Sequence, residues 1–225
     1  MSVQLLHANA AALKSRFEVT GRFYSSPCGH RCRDELNVRQ MGTAATAAAD
    51  AVFIMMNPGS SAPLDGEDAV KIEHAVHVPA RPDTTQYQVM RLMGFYDWRS
   101  VRVLNLSDLR TPKSDELLGV IHVYERHEGH DGHSIFSPRR ASELQHALRR
   151  RTGSPVVVAW GVAARLRPLA ERALNALSSS RVAGLAKVHG GWAYRHPLPQ
   201  THASQIAWRT EMVSVLGPAE SQATI

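Results

Sequence analysis

Two polar residues, Asn57 and Asn105, stand where apolar stretches of the chain stop, and a third, His196, stands in a polar, proline-containing loop. The run Ala51 to Met56 is continuously apolar and ends in Asn57-Pro58-Gly59-Ser60-Ser61. Pro58 has no N–H and a fixed φ, so an extended strand must stop there. Gly59 permits a tight turn close to a ligand. Asn57 then offers a carbonyl and an amide at a strand end, groups that position a water or read the edge of a base. The same residues also make an ordinary turn, since Asn-Pro punctuates loops in general. The run Val101 to Leu104 ends in the same way at Asn105, with Asp108 and Arg110 just beyond it. A few polar groups on an apolar scaffold are what a small-molecule pocket needs. Alternatively, Asp108 and Arg110 pair with each other or cap neighbouring elements. In Arg195-His196-Pro197-Leu198 the proline holds His196 extended. An imidazole aimed by such a loop donates to a developing oxyanion or a phosphate, unless it is one more surface histidine.

Presenting these groups together requires strands with a common edge. Ala51–Met56 and Val156–Trp160 are short, continuously apolar runs and Val101–Leu104 is apolar but for Arg102, the pattern of strands buried in a parallel sheet. A fourth strand is expected over 186–189. Between them, helical spacing appears from Thr84 to Met93 with Gly94 as C-cap, and from Asp115 to Val123 behind Ser114 as N-cap. Further helices are expected from Ser137-Pro138 to Arg151, from Val162 to Leu177, and from about 202 to Leu216. Strands alternating with helices predict an α/β fold: a three-layer α/β/α sandwich around a central, mostly parallel four-stranded sheet. Its ligand edge lies at the carboxyl ends of the strands. That edge receives Asn57, Asn105 and, from the third strand, Trp160-Gly161. Residues 1–34 read as an amphipathic helix and a Gly/Ser/Pro/Cys/Arg-rich loop, with a weak edge strand over 35–41. Residues 57–83 read as one long functional loop. We therefore expect one domain: an extension over 1–34, a core over 35–216 and a frayed tail over 217–225.

Other clusters suggest metal by residue type but not by spacing. Cys28 and Cys32 have three residues between them, not the two of zinc and redox motifs. His122, His127, His130 and His133 follow no zinc pattern. Two free thiols, a solvated histidine loop and no metal or other cofactor are expected. Arg139, Arg140, Arg149, Arg150 and Arg151 form a solvated face or contact phosphates. The formal charge is +6, from 26 Lys and Arg against 20 Asp and Glu. That excess favours polyanions, nucleic acid above all, through counterion release. With no leader pattern, no apolar run of spanning length and only two cysteines, the chain is expected to be soluble and cytoplasmic, with no membrane partner. Oligomeric state is left open.

In combination these segments resemble the uncharacterised family DUF1643. The residues that carry the resemblance are Met56-Asn57-Pro58-Gly59-Ser60, Asp83-Thr84-Thr85, Leu92 to Trp98, Asn105-Leu106, Ala159-Trp160-Gly161 and His196-Pro197, across residues 35 to 202. The pattern is similar in turn to the uracil-DNA glycosylase superfamily. Its mismatch-specific branch has Gly-Ile-Asn-Pro-Gly, then Thr-Asn-Leu-Val and Arg-Pro-Thr-Pro. Here Met55-Met56-Asn57-Pro58-Gly59, Leu104-Asn105-Leu106-Ser107 and Arg110-Thr111-Pro112 stand in matching order. Other branches carry His-Pro-Ser where this chain has His196-Pro197-Leu198. The resemblance implies a flipped base held at the strand ends. In it, Asn57 positions the attacking water, Asn105 contacts the base, and His196 stabilises the leaving base or grips phosphate. Pro58, Gly59, Ser60, Asp108, Arg110, Trp160 and Arg195 complete the expected substrate-binding set. The expected function is a nucleic-acid-directed enzyme, on DNA rather than RNA, that hydrolyses or processes the N-glycosidic bond of a flipped or modified base. A non-catalytic nucleic-acid- or nucleotide-binding module on the same fold, and an enzyme acting on a free nucleoside, remain the alternatives.

Overall fold

The computed structural model describes residues 2–65, 70–188 and 191–218. Five short strands and two longer amphipathic ones build its sheet. In chain order the elements are α1 (Ser2–Leu6), α2 (Ala10–Lys14), β1 (Phe17–Ser25), β2 (Arg31–Gln40), β3 (Ala51–Met55), β4 (His77–Pro79), α3 (Thr84–Tyr96) and β5 (Ser100–Asn105). There follow α4 (Leu117–Glu128), α5 (Ala141–Ala147), β6 (Val156–Val158), α6 (Arg167–Ala176), β7 (Val182–Ala183) and α7 (His202–Leu216).

All seven strands join one mixed sheet in the order β4-β1-β2-β5-β3-β6-β7. From β5 to β7 neighbours run parallel, and from β4 to β5 they run antiparallel. The sheet is thus larger than the expected four strands: β1 and the start of β2 replace the expected helix and loop, the strand expected over 35–41 forms the rest of β2 but pairs on both sides instead of lying at the edge, and β4 comes from the expected 57–83 loop. The cause is legible in hindsight. Phe17, Val19 and Phe23 alternate inward along β1, with Glu18, Thr20 and Arg22 opposite, which is strand periodicity. Only α1 and α2 of the expected N-terminal helix form. The strand expected over 186–189 is absent at its described residues, where Ala186 makes a single bridge to Tyr194. β7 takes the edge place instead. His189, and the tail from residue 219 on, lie outside the described residues.

The alternation of β3 shows how the layers are held. Ala51, Phe53 and Met55 face one side, with Val89, Met90, Leu92 and Met93 of α3, Leu6 of α1, Leu13 of α2, and Trp208 and Met212 of α7. Val52 and Ile54 face the other, with Leu117 and Ile121 of α4, Leu144 of α5, and Leu169, Ala170 and Ala173 of α6. Helices therefore cover both faces. Removing Phe53, which is fully buried, would cost about 3–5 kcal/mol. Among the described residues, no helix is long and apolar enough to cross a membrane.

Several boundaries differ from expectation. Gly94 does not cap α3; it is buried inside it, and the helix ends at Asp97 with φ 54°. Ser114 does not cap α4, whose N-cap is Glu116 without a side-chain bond. α4 instead runs into the expected histidine loop. The helix after Ser137-Pro138 is a 3-10 turn and the seven-residue α5. Beyond Gly161, at φ 108°, a 3-10 turn precedes α6.

Candidate functional site

Parallel pairing sets the site. Met55 of β3 is the register partner of Asn105 of β5, so the chain leaves both strands at one edge of the sheet. Leu106 N–H donates to Met55 O at 2.8 Å and ties the two exits together. Because β2 runs antiparallel to β5, its first residues reach the same edge. The third wall is the start of α3. There Asp83 accepts from Gln86 N–H at 2.8 Å, and Gln86 Oε1 accepts from Asp83 N–H at 3.1 Å, a reciprocal capping box.

Between these walls lies a cavity of about 160 Å³. Met55, Met56, Asn57, Pro58 and Gly59 come to it from β3 and its exit, Val103 and Asn105 from β5, and His196 from the loop before α7. Arg33 lines it from β2, Asp83, Thr85 and Gln86 line it from α3, and Pro112 closes it. Gly59 holds φ 62°, in the left-handed region that favours glycine, which lets its backbone turn along the cavity wall.

The polar groups are not equally available. Asn57 Nδ2 donates to Thr111 O at 2.8 Å and to Leu109 O at 3.4 Å. Its Oδ1 is thus the end of the amide left for a ligand or water. Asn105 is fully buried, and with its amide oriented so that both ends find partners, Nδ2 donates to the main-chain oxygen of Asn57 at 3.3 Å. In that orientation its Oδ1 accepts from Arg33 Nη2 at 3.1 Å. Asn105 therefore braces the wall, where the resemblance implied a group reading the ligand. His196 Nδ1 accepts from Leu198 N–H at 3.2 Å, which places the ring proton on Nε2. Burial pushes the His196 imidazolium down to about 4, so at neutral pH the ring is an uncharged donor.

Arg33 is the residue the sequence concealed. A register shift lies between Arg22 and Phe23, where Glu35 and then Arg33 are the partners and Asp34 is skipped. This bulge puts Arg33 on the face of Leu36 and Val38. Both Asp34 and Glu35 turn to the opposite face. Without the bulge Arg33 would point away from the cavity. Alternation through β1 and β2 would have placed the strands, but a one-residue bulge leaves no trace in composition. Burial lowers the Arg33 guanidinium to about 10, while Asp83 and Asp108 act to keep it charged.

Other expected site residues lie elsewhere. Asp108 is fully buried on the far side of the β5 exit, where it accepts from Tyr24 Oη at 3.0 Å and pairs with Arg140. The Arg110 guanidinium lies 5.4 Å over the Phe23 ring. Trp160 is core: it is fully buried, and its Nε1 donates to Trp192 O at 2.8 Å. Arg195 pairs with Glu211 on α7. Ser60 is exposed and does not line the cavity.

On the opposite face a groove of about 640 Å³ runs between the antiparallel wing and α5. Its acids are spent. Asp34 binds Arg22 in a two-pronged pair. Burial alone would raise Glu35, but His77 Nε2 at 3.1 Å, Arg102 and the Asn37 amide hold it at about 2. The basic cluster is also largely structural, with Arg140 in the Asp108 pair and Arg151 on Asp50.

The histidine segment is solvated only in part: His122 and His127 are exposed on α4 and His130 is half-buried. His133 is buried, with Nδ1 3.0 Å from Ser107 Oγ and Nε2 3.3 Å from Glu125 Oε1. That is nucleophile–base–acid order, but Ser107 is fully buried and its Oγ also accepts from Leu109 N–H. The chain of bonds ties the loop to the sheet and presents no nucleophile. Cys28 and Cys32 are free thiols. Among the described residues no three His, Cys, Asp or Glu side chains gather as a metal-binding group.

Compared with protein-family models, curated proteins and solved structures, the chain matches none.

Proposed function

We propose that this chain is a nucleic-acid-directed enzyme of the uracil-DNA glycosylase kind, acting on the N-glycosidic bond of a base turned out of its strand. One observation carries the reading: Asn57 and His196 face one cavity at the exits of β3 and β5, with Asn105 bracing its wall. Its volume, about 160 Å³, is well under the ~300 Å³ from which pockets hold drug-sized ligands, so it suits a single ring with the sugar outside. The net charge of +6 favours the phosphate backbone that would deliver such a ring. The order of the motifs along the chain supports the same kinship, as does the parallel set β5-β3-β6-β7 with helices on both faces.

In this reading Asn57 Oδ1 accepts a hydrogen bond from the attacking water and orients it, because Asn57 Nδ2 is already committed to Thr111 O. Water adds to the sugar carbon, and the C–N bond breaks with its electron pair leaving on the base. His196 Nε2–H, neutral and desolvated, donates to the oxygen on which that charge gathers. The water proton ends in solvent or on the departed base.

The test uses oligonucleotides that carry uracil, hypoxanthine or a modified pyrimidine, with alkaline cleavage at abasic sites read on a gel. Abasic product from at least one base, with binding that weakens as salt rises, is expected. Salt-dependent binding without product on any base would overturn the hydrolase and leave a binding module on the same cavity. Neither product nor binding at low salt would overturn the nucleic-acid reading altogether.

A further inference from the structure

We propose that Arg33 is the specificity-determining residue of this cavity, and that it selects a ring carrying a formal negative charge, such as a carboxylate-bearing pyrimidine. The proposal rests on the reading of the cavity as a single-ring site and adds what that ring must be.

Arg33 is 3% exposed, and its Nε is buried with no hydrogen-bond partner among the described residues. A guanidinium has five N–H donors and accepts nothing. Its Nη2 is used by Asn105, an uncharged partner. The nearby carboxylates are engaged elsewhere. Asp83 caps α3, Asp34 holds Arg22, and Asp108 holds Arg140 and Tyr24. Asp83 lines the cavity and supports the Arg33 charge from a distance, but among the described residues no carboxylate forms an ion pair with the guanidinium, and an anion in the cavity would complete it.

The groups around Arg33 point the same way. Gln86 Oε1 is turned back to Asp83 N–H, which leaves Nε2, a donor, as its free end. His196 contributes Nε2–H. Asn105 is spent on the wall, and the acceptors that remain in the lining are Asn57 Oδ1 at the β3 exit and the Asp83 carboxylate at the α3 cap. The free side-chain ends of Gln86 and His196 join Arg33 as donors. An amino-bearing edge would set donor against donor, whereas a carboxylate accepts from the guanidinium fork in the two-pronged geometry that arginine favours.

The experiment titrates the intact protein with three free rings of similar size, followed by calorimetry: orotate as the carboxylated ring, uracil as the neutral dioxo ring, and cytosine as the amino-bearing ring. The unaltered protein should bind orotate at least about tenfold more tightly than uracil, a difference of ~1.4 kcal/mol, and cytosine more weakly still. Arg33→Met should abolish the orotate preference, bringing the orotate and uracil affinities of that variant within about twofold of each other, and Arg33→Lys should retain part of the preference. Circular dichroism of each variant establishes that it folds, and the wild-type ranking stands as a test if neither does. Equal binding of orotate and uracil by the wild-type protein, no binding of orotate, or a preference that survives in folded Arg33→Met would overturn the proposal. The oligonucleotide assay separates the two readings. Release of neutral bases without orotate preference removes Arg33 as selector and keeps the glycosylase. Arg33-dependent orotate binding without abasic product keeps the selector and removes the glycosylase.

Discussion

Asn57 Nδ2 donates to the carbonyl of Thr111 at 2.8 Å, so the side chain that fronts the cavity also holds the segment following β5 in place. This dual duty reverses the usual ranking of two small substitutions. Asparagine to aspartate is often the gentler change at a water-positioning site, since a carboxylate is the stronger acceptor. Here a carboxylate in place of the amide would set an acceptor-only group against two carbonyls, those of Thr111 and Leu109. Asn57→Asp should lose roughly 1–3 kcal/mol in urea unfolding, at least as much as Asn57→Ala. An Asn57→Asp variant as stable as wild type would show that these bonds do not hold the loop.

His196 gives a signed dependence on pH. The free ring titrates at 6.5, and in the folded protein burial holds it near 4. Between those values the unfolded chain binds a proton that the folded chain refuses, so this residue lowers stability as pH falls from about 6.5 to 4. Above that window the ring is neutral in both states and contributes nothing. An NMR titration of the ring nitrogens should place the midpoint near 4, with Nδ1 unprotonated at neutral pH. The fall in urea midpoint between pH 6.5 and 4 should be smaller in His196→Gln than in wild type. A midpoint near 6.5 would mean that the ring is solvated and that the neutral-donor role is wrong.

Asp108 illustrates a residue whose chemistry looks functional and whose packing is structural. Burial pushes its carboxyl up, while Arg140 opposes that shift and both groups are all but inaccessible. Removing one partner strands the other, at a cost of about 3–5 kcal/mol. Asp108→Ala should therefore destabilise the fold by that order in urea, and Arg140→Met combined with Asp108→Leu should recover part of the loss. In folded variants, ring affinity of the cavity should stay within about twofold of wild type, since Asp108 does not line it. A large affinity loss with unchanged stability would return Asp108 to the site.

What could be read from the sequence divides along the same physical line. Val52, Phe53 and Ile54 are apolar on both faces, and so are Val101, Val103 and Leu104, so buried parallel strands and their polar exits were legible. Helical spacing from Thr84 to Met93 was legible as α3, whereas the Asp83–Gln86 capping box at its start went unread. The wing was hidden because Gly21, Arg22 and the Cys28–Cys32 loop look like punctuation, although Phe17, Val19 and Phe23 keep strand spacing. Arg33 was hidden more deeply. A charged residue between Cys32 and Asp34 reads as surface until the bulge at Asp34 turns it inward. His133 was missed because its partners, Ser107 and Glu125, lie on other elements. Local composition carries periodicity and caps; it does not carry bulges or pairs made across the fold.

Gly94 tests the packing above the site, since α3 supplies one cavity wall. A Cβ there would lie 2.8 Å from Leu5 Cβ on α1. Replacing a mid-helix glycine by alanine gains up to about 1 kcal/mol of helix propensity. Overpacking of this kind costs about 1–3 kcal/mol, and the clash involves a Cβ, which cannot rotate away. Gly94→Ala should therefore be destabilising in spite of the propensity gain, and amides of α1 should exchange faster as that helix is pushed off α3. Leu5→Ala keeps its own Cβ but removes the branched end, also within 3.4 Å, that pins α1 to the site of the clash. In that background α1 can shift, and the same Gly94→Ala change should become neutral or stabilising. Thermal unfolding of the four proteins in this cycle reads the coupling directly. If Gly94→Ala stabilises with Leu5 intact, α1 is docked too loosely to constrain α3, and the glycine is there for another reason.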